Sequence, residues 1–187
     1  TTELRGVAVK YMREMPEIED AAGLMTISGS EAIFDMSSGH VPDAVSGRNL
    51  SIPSGRVRMY GLGGGSERAN IQLKILGGFG DVMRLIDHPP LGYARAVGLD
   101  ASQTAGRADV DLTLDFPLIN DLKLDQLQFS VQAKADDIGI PEVAFGLPLT
   151  GGRLGLSLDR AGMDVSGIAV VGGIQTDIAW RENFGGG

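Results

Sequence analysis

The side chains best equipped for chemistry are few and scattered. His40 lies in Ser37-Ser38-Gly39-His40-Val41-Pro42, a loop-like context, and His88 precedes Pro89-Pro90 at the expected end of a helix. A shared metal would require bringing the two together. One loop histidine and one helix-terminal histidine, the latter favoured by the helix dipole alone, is the simpler account. Asp109, Asp111 and Asp115 carry oxygen ligands that Asp136 and Asp137 could supplement. Calcium loops curl their carboxylates around the ion with a glycine at the sharp bend. These aspartates instead fall on an extended run, roughly 6–7 Å apart per two residues, and suit a solvated strand face that discourages edge pairing. Gly61-Leu62-Gly63-Gly64-Gly65-Ser66 lacks the Gly-Lys-Ser/Thr step of a phosphate loop and is followed by a strand, so it reads as a hairpin tip. Ser28, Ser30, Ser37 and Ser38 stand outside any Gly-x-Ser-x-Gly elbow. With no cysteine there is neither a thiolate nucleophile nor a thiolate zinc site. The chain reads as non-enzymatic, with no catalytic residue, metal or cofactor assigned.

The elements that would position these residues are mostly strands. Ala108, Val110, Leu112, Leu114 and Phe116 alternate with Arg107, Asp109, Asp111, Thr113 and Asp115, which places the two sets on opposite faces of one strand. Asp125–Lys134 repeats the device with Leu127, Phe129, Val131 and Ala133 on the dry side. Ile71, Leu73 and Ile75 alternate with Asn70, Gln72 and Lys74, and Ile174, Thr176, Ile178 and Trp180 with Gln175, Asp177, Ala179 and Arg181. One wet and one dry face is the pattern of antiparallel sheets. Weaker strands are expected at Arg5–Tyr11, Leu24–Ser28, Glu31–Met36, Asn49–Ile52, Arg56–Tyr60, Arg153–Leu158 and Met163–Ile168. Hairpins are expected at Ser28-Gly29-Ser30, Pro53-Ser54-Gly55 and Asp159–Gly162, and looser turns at Asn120-Asp121 and Asp136-Asp137. About eleven strands in a meander result. A helical insert over about 79–98 interrupts them, with a first helix over Gly80–Asp87 and a second short one over 91–98. Pro16-Glu17-Ile18 and Pro141-Glu142-Val143 each precede a hairpin, a weak echo between the halves.

Composition supports this picture. The chain has 187 residues, 43% hydrophobic but only 5% aromatic, and its 28 glycines are about twice the usual share. The net charge of −8 argues against nucleic acid and against electrostatic docking on anionic headgroups. No apolar run is long enough for a membrane-spanning helix. Residues 1–184 are expected to form a single β-rich domain, a fragment of a longer protein, with 185–187 as a tail.

Met15-Pro16-Glu17, the glycine-rich hairpin, Leu50-Ser51-Ile52-Pro53-Ser54-Gly55-Arg56-Val57, Asp87-His88-Pro89-Pro90-Leu91-Gly92, Gly106-x-Ala108, Phe116-Pro117-Leu118 and Ile178-Ala179-Trp180-Arg181-Glu182-Asn183-Phe184 together resemble the AsmA-like proteins of Gram-negative bacteria, within them the long YhdP/TamB-type branch. The resemblance implies an internal segment of a periplasmic protein anchored in the inner membrane, with the anchor outside this chain. It also implies an elongated β-groove that conducts phospholipid towards the outer membrane. The helical insert departs from a pure groove repeat. No catalytic residues carry over.

These readings combine into one expectation: a strongly twisted antiparallel sheet, shaped as a groove or taco or partly closed into a sandwich. Its apolar face would hold acyl chains against Ile71, Leu73, Ile75, Ala108, Val110, Leu112, Leu114, Leu127, Phe129, Val131, Leu156 and Ile178. An eight-residue strand spans roughly 26 Å, enough for the ~15 Å of one leaflet's hydrocarbon. The expected partners are phospholipid or another acyl-chain lipid and neighbouring β-segments of the same longer chain. The alternatives are a structural or protein-interaction β-domain whose apolar faces pack on each other and, on the aspartate strand alone, a calcium-dependent adhesin or glycan-binding module.

Overall fold

The computed structural model describes residues 1–12, 15–88, 100–143 and 146–184. Among them ten strands form one antiparallel sheet in strict sequence order. The strands are β1 (Thr2–Val9), β2 (Ile18–Ser28), β3 (Glu31–Pro42), β4 (Asn49–Tyr60), β5 (Arg68–Gly78), β6 (Ala105–Pro117), β7 (Gln128–Ile140), β8 (Leu149–Asp159), β9 (Gly162–Val171) and β10 (Ile174–Asn183). The sheet does not close into a barrel, so β1 and β10 are both edges. One helix, α1 (Phe79–Ile86), links β5 towards β6, and single 3-10 turns lie at Ala101–Gln103 and Leu124–Gln126.

The meander follows from local chemistry. Short hairpins join β2 to β3, β8 to β9 and β9 to β10. The last is a two-residue turn in which Gly172 (φ 57°) and Gly173 (φ 86°) both take positive φ, as the turn that matches strand twist requires. Several expectations need correction. Asn49–Ile52 and Arg56–Tyr60 belong to one strand, β4, and Pro53-Ser54-Gly55 makes no hairpin. A register shift between Ser51 and Ser54 leaves Pro53 out of the β4–β5 pairing, where its missing N–H costs no ladder bond. Asp136-Asp137 is not a turn but a bulge inside β7: pairing with β8 jumps between Ala135 and Ile138, and Asp137 has φ 56°. His40 lies within β3, opposite Glu19 and Ser51, not in a loop. Residues 124–126 form a 3-10 turn, and the strand expected from Asp125 starts at Gln128. β1 and β2 occupy Thr2–Val9 and Ile18–Ser28 rather than the shorter or shifted spans expected. The second helix expected over 91–98 and the 185–187 tail lie outside the described residues.

Bulges gather at one end of the sheet. Shifts at Leu4/Val7, Glu19/Ala22, Ser51/Ser54, Ala105/Arg107, Ala135/Ile138 and Thr150/Arg153 all fall near the end that carries α1. Each bulge adds bend and twist, so this end curls most. Ile18, Leu50, Ile52 and Ile138 are fully enclosed there. α1 seats Val82 and Leu85 in the same core, resting on β5, β6 and the Ala101–Gln103 turn.

The curl also depends on missing side chains. Along one row, Met36 faces Gly55, and Gly55 faces Leu73. A Cβ at Gly55 would lie 2.6 Å from Met36 Cε and 2.8 Å from Leu73 Cδ2. Met36 therefore lies across the space the glycine leaves. Gly55→Val should force that row apart and cost about 1–3 kcal/mol, read as a lower urea midpoint at unchanged slope.

One charged cluster pins α1. Asp81, in its first turn, is the buried charged residue among those described, at 2% exposure. Arg48 grips it through two bonds of 2.9 Å, and Arg84 bonds the same carboxylate. Arg84 Nε also donates to Asp43 at 2.7 Å, and its Nη1 donates to the Ala101 carbonyl at 3.3 Å. The β3–β4 loop, α1 and the segment before β6 thus share one network. Burial pushes the Asp43 carboxyl up, but the Val45 N–H, the Arg84 guanidinium and the Ser46 hydroxyl together outweigh it and hold its pKa at about 2, against an ordinary 3.8. A pKa lowered in the fold means stabilisation that is present above the unfolded value and lost as pH falls through the folded one. Stability should therefore drop by about 2 kcal/mol between roughly pH 5 and pH 2 on account of this group. Urea melts across that range should show the limb, and Asp43→Asn should flatten it.

Candidate functional site

Eleven of the twelve residues expected to line a groove lie on one face of the sheet, with Leu127 fully buried just before β7, and strand register decides which of them meet. Phe34, Val57, Ile71, Leu114 and Phe129 stand side by side across β3 to β7. The next row runs Met36, Gly55, Leu73, Leu112, Val131, Leu158 and Met163 across β3 to β9. A third runs Ile75, Val110, Ala133, Leu156, Val165 and Trp180 across β5 to β10. A fourth runs Ala108, Ala135, Leu154, Gly167 and Ile178 across β6 to β10. Alternation along each strand becomes a continuous aliphatic lining, because directly paired residues point to the same face.

Ten of the twelve are buried in one cluster: Ile71, Leu73, Ile75, Ala108, Val110, Leu112, Leu114, Leu127, Phe129 and Val131. Leu112 and Phe129 are each 8% exposed, so in the middle of the sheet the inner face is covered; Tyr11, Met12 and Met15 between β1 and β2 and Val82 and Leu85 of α1 join its cluster. Leu156 is half-buried against that cluster. Ile178 packs instead on a smaller cluster of Ala135, Ile138, Leu149 and Ala169. Cover thins towards β10, where Val165 and Ile178 are half-buried, Trp180 is 44% exposed and Ile174 73%. Sequence reasoning left out Phe34, Met36, Val57, Leu50, Ile52 and Ile138. The alternation Ala32-Phe34-Met36 was available as a signal; the bulges around Ile52 and Ile138 hid the rest.

The opposite face is wet and carries paired charge. Lys74 bonds both Asp109 and Asp111, and that contact raises its pKa, Asp109 contributing most. Burial pushes Asp115 up, but the Arg68 guanidinium, the Asn70 amide and the Tyr60 hydroxyl prevail and hold it below the ordinary carboxylate value. Arg56 meets Asp35, Arg58 meets Glu31 and stacks 4.8 Å above the Tyr60 ring centroid, and Arg181 meets Asp164. The three aspartates of the strand are thus paired with one lysine and one arginine. Among the described residues no group of three or more His, Asp or Glu side chains is placed to hold a metal ion. His40 stands 3.7 Å from Glu19 and 3.9 Å from Asp20 across the β2–β3 pair, while His88 follows the end of α1. At the Gly61–Ser66 tip the Gly63 and Gly65 N–H groups donate to the Glu67 carboxylate at 3.1 and 3.2 Å. Those donors are already spent on the hairpin.

Chemically, the arrangement offers a dry, largely aliphatic surface. No buried side-chain polar atom among the described residues lacks a partner. No described helix is long and apolar enough to cross a membrane. No protein-family model, curated protein or solved structure matches this chain.

Proposed function

We propose that this chain is a non-enzymatic segment of a cell-envelope protein of AsmA-like type. It would be anchored in the inner membrane, extend through the periplasm, and move phospholipid in support of outer-membrane biogenesis and homeostasis. The observation that carries the reading is the inner face: largely aliphatic from β3 to β9, buried in the middle of the sheet, and progressively open from β8 to β10. Acyl chains would enter along Val165, Ile178 and Trp180, and each methylene sheltered there is worth about 0.8 kcal/mol. Headgroups would stay at the rim. In a longer chain of this kind neighbouring β-segments would extend the sheet.

A second reading rests on the burial of Leu112, Phe129 and their neighbours. A self-covered core suits a structural or protein-interaction β-domain that needs no lipid. Trp180 separates the two, because it is the single tryptophan of the chain and sits where the cover thins. Vesicles of phosphatidylethanolamine and phosphatidylglycerol with brominated acyl chains should quench its emission, and native mass spectrometry should find phospholipid bound. Ile178→Asp should abolish both signals while leaving the circular dichroism and melting curve close to the parent. Leu112→Asp, in contrast, should unfold the domain. Unquenched Trp180 and a lipid-free mass would sink the lipid reading and leave the self-packed one.

A further inference from the structure

Most glycines within the strands have a local reason to be there. Either φ is positive, or a neighbouring atom lies about 3 Å or less from where a Cβ would stand. Gly155, in the middle of β8, has neither. Its φ is not positive, and an added Cβ would meet only the Ser166 carbonyl oxygen, at 3.8 Å. It pairs in unbroken register with Lys134 on one side and Ser166 on the other, clear of the bulges in β7 and β8. A glycine inside a strand costs stability, and where no bulge or bend needs it, it marks a place where something approaches the backbone closely. Beside it on the wet face is a cavity of about 520 Å³. A second, of about 480 Å³, shares Asp109 and Lys134 with the first and continues over Gly77 and Gly78. Together they form a trough over β5 to β9, away from both edge strands.

We infer that this trough binds a neutral, polyhydroxylated ligand of the saccharide class, laid over Gly155. Strand register interleaves the lining. Lys74, Asp111, Gln132, Ser157 and Asp164 form one cross-strand row, and Asp109, Lys134, Gly155 and Ser166 form the next. Neighbouring strands are about 4.8 Å apart, so donors and acceptors follow one another at short, regular intervals. Lys74 and Lys134 stand among Asp109, Asp111 and Asp164. A polyanion is repelled by the aspartates, and a polycation by the lysines. An apolar ligand finds little here, because the Ala133 and Leu156 side chains belong to the dry face. Hydroxyl groups both donate and accept, and so suit the mixed set. Some of the lining is already bonded: Lys74 to Asp109 and Asp111, Arg181 to Asp164, and Gln132 Nε2 to the Ser157 hydroxyl at 2.7 Å. The side chains of Lys134 and Ser166, on either side of Gly155, make no hydrogen bond or ion pair among the described residues. These two take the ligand's hydroxyls, and the missing side chain between them lets a sugar ring rest on the strand. The site is independent of the acyl-chain reading, which concerns the opposite face.

The isotope-labelled 187-residue chain can be titrated with neutral tetrasaccharides of glucose, galactose, mannose and N-acetylglucosamine. At about 10 mM, where even millimolar affinity registers, at least one of the four should shift the amide signals of Lys134, Gly155 and Ser166. Gly155→Thr puts a β-branched side chain where there is room for it, so it should keep or raise the melting temperature. The same variant should weaken binding about tenfold or more by filling the trough. Lys134→Gln should weaken binding severalfold with the circular dichroism unchanged. No shift with any of the four sugars would overturn the proposal. A larger response to a sulfated heparin tetrasaccharide or to spermine would overturn the neutral class of ligand. Full binding by Gly155→Thr would overturn the placement over Gly155. A lower melting temperature in that variant would show that the backbone itself needs the glycine, and would overturn the site on that ground.

Discussion

The structure depends on keeping one face of an open sheet dry. Ten strands present aliphatic rows on a single side, and no second sheet lies over them among the described residues. Cover therefore comes from curvature together with α1 and the connection between β1 and β2, which bring residues of β1 to β9 into one cluster. Curvature in turn needs missing bulk on the inside and extra length on the outside. Gly55 beneath Met36 gives the first; the bulges along one end give the second. The low aromatic content follows from the same demand, because a tightly curled lining packs Val, Leu, Ile and Ala more readily than large rings.

At the curled end, closure is completed by α1, and this explains the buried charge. A short helix laid across a sheet end brings its first turn into the interior, and Asp81 favours that turn through the helix dipole. Isolated, such a carboxylate would be costly; gripped by Arg48 and Arg84, and with Asp43 behind Arg84, it becomes a specific clasp between the β3–β4 loop and the helix. Its contribution lies as much in fixing where α1 sits as in net stability.

Much of this was legible in the residues. The strict period of β5, β6 and β7 by itself places Ile71, Leu73, Leu112 and Val131 on one face, and in register they are neighbours. The dry face and the antiparallel meander follow. Legibility fails where the period breaks. Pro53 and Gly55 carry the composition of a turn, yet a bulge lets β4 run through them. Asp137 has the positive φ of a turn residue but spends it inside a strand. The extent of cover could not be read either: Leu112 and Ile178 have the same local pattern, and only the place of their strands in a ten-strand order makes one buried and the other half-open. The wet face shows the same division. That Asp109, Asp111 and Asp115 point to solvent was readable from alternation; that Lys74 and Arg68 meet them is a matter of cross-strand register.

The strict nearest-neighbour order of the strands also shapes how the chain reaches its fold. Every pairing joins consecutive strands, so most ladders close short loops and none waits for the opposite terminus. Such local topology favours rapid formation and allows assembly hairpin by hairpin along the chain. The exception is the β5–β6 ladder, where the segment containing α1 must first be spanned. That step carries the largest closure entropy of the meander, which makes it the natural kinetic seam between a half that ends at Gly78 and a half that begins at Ala105.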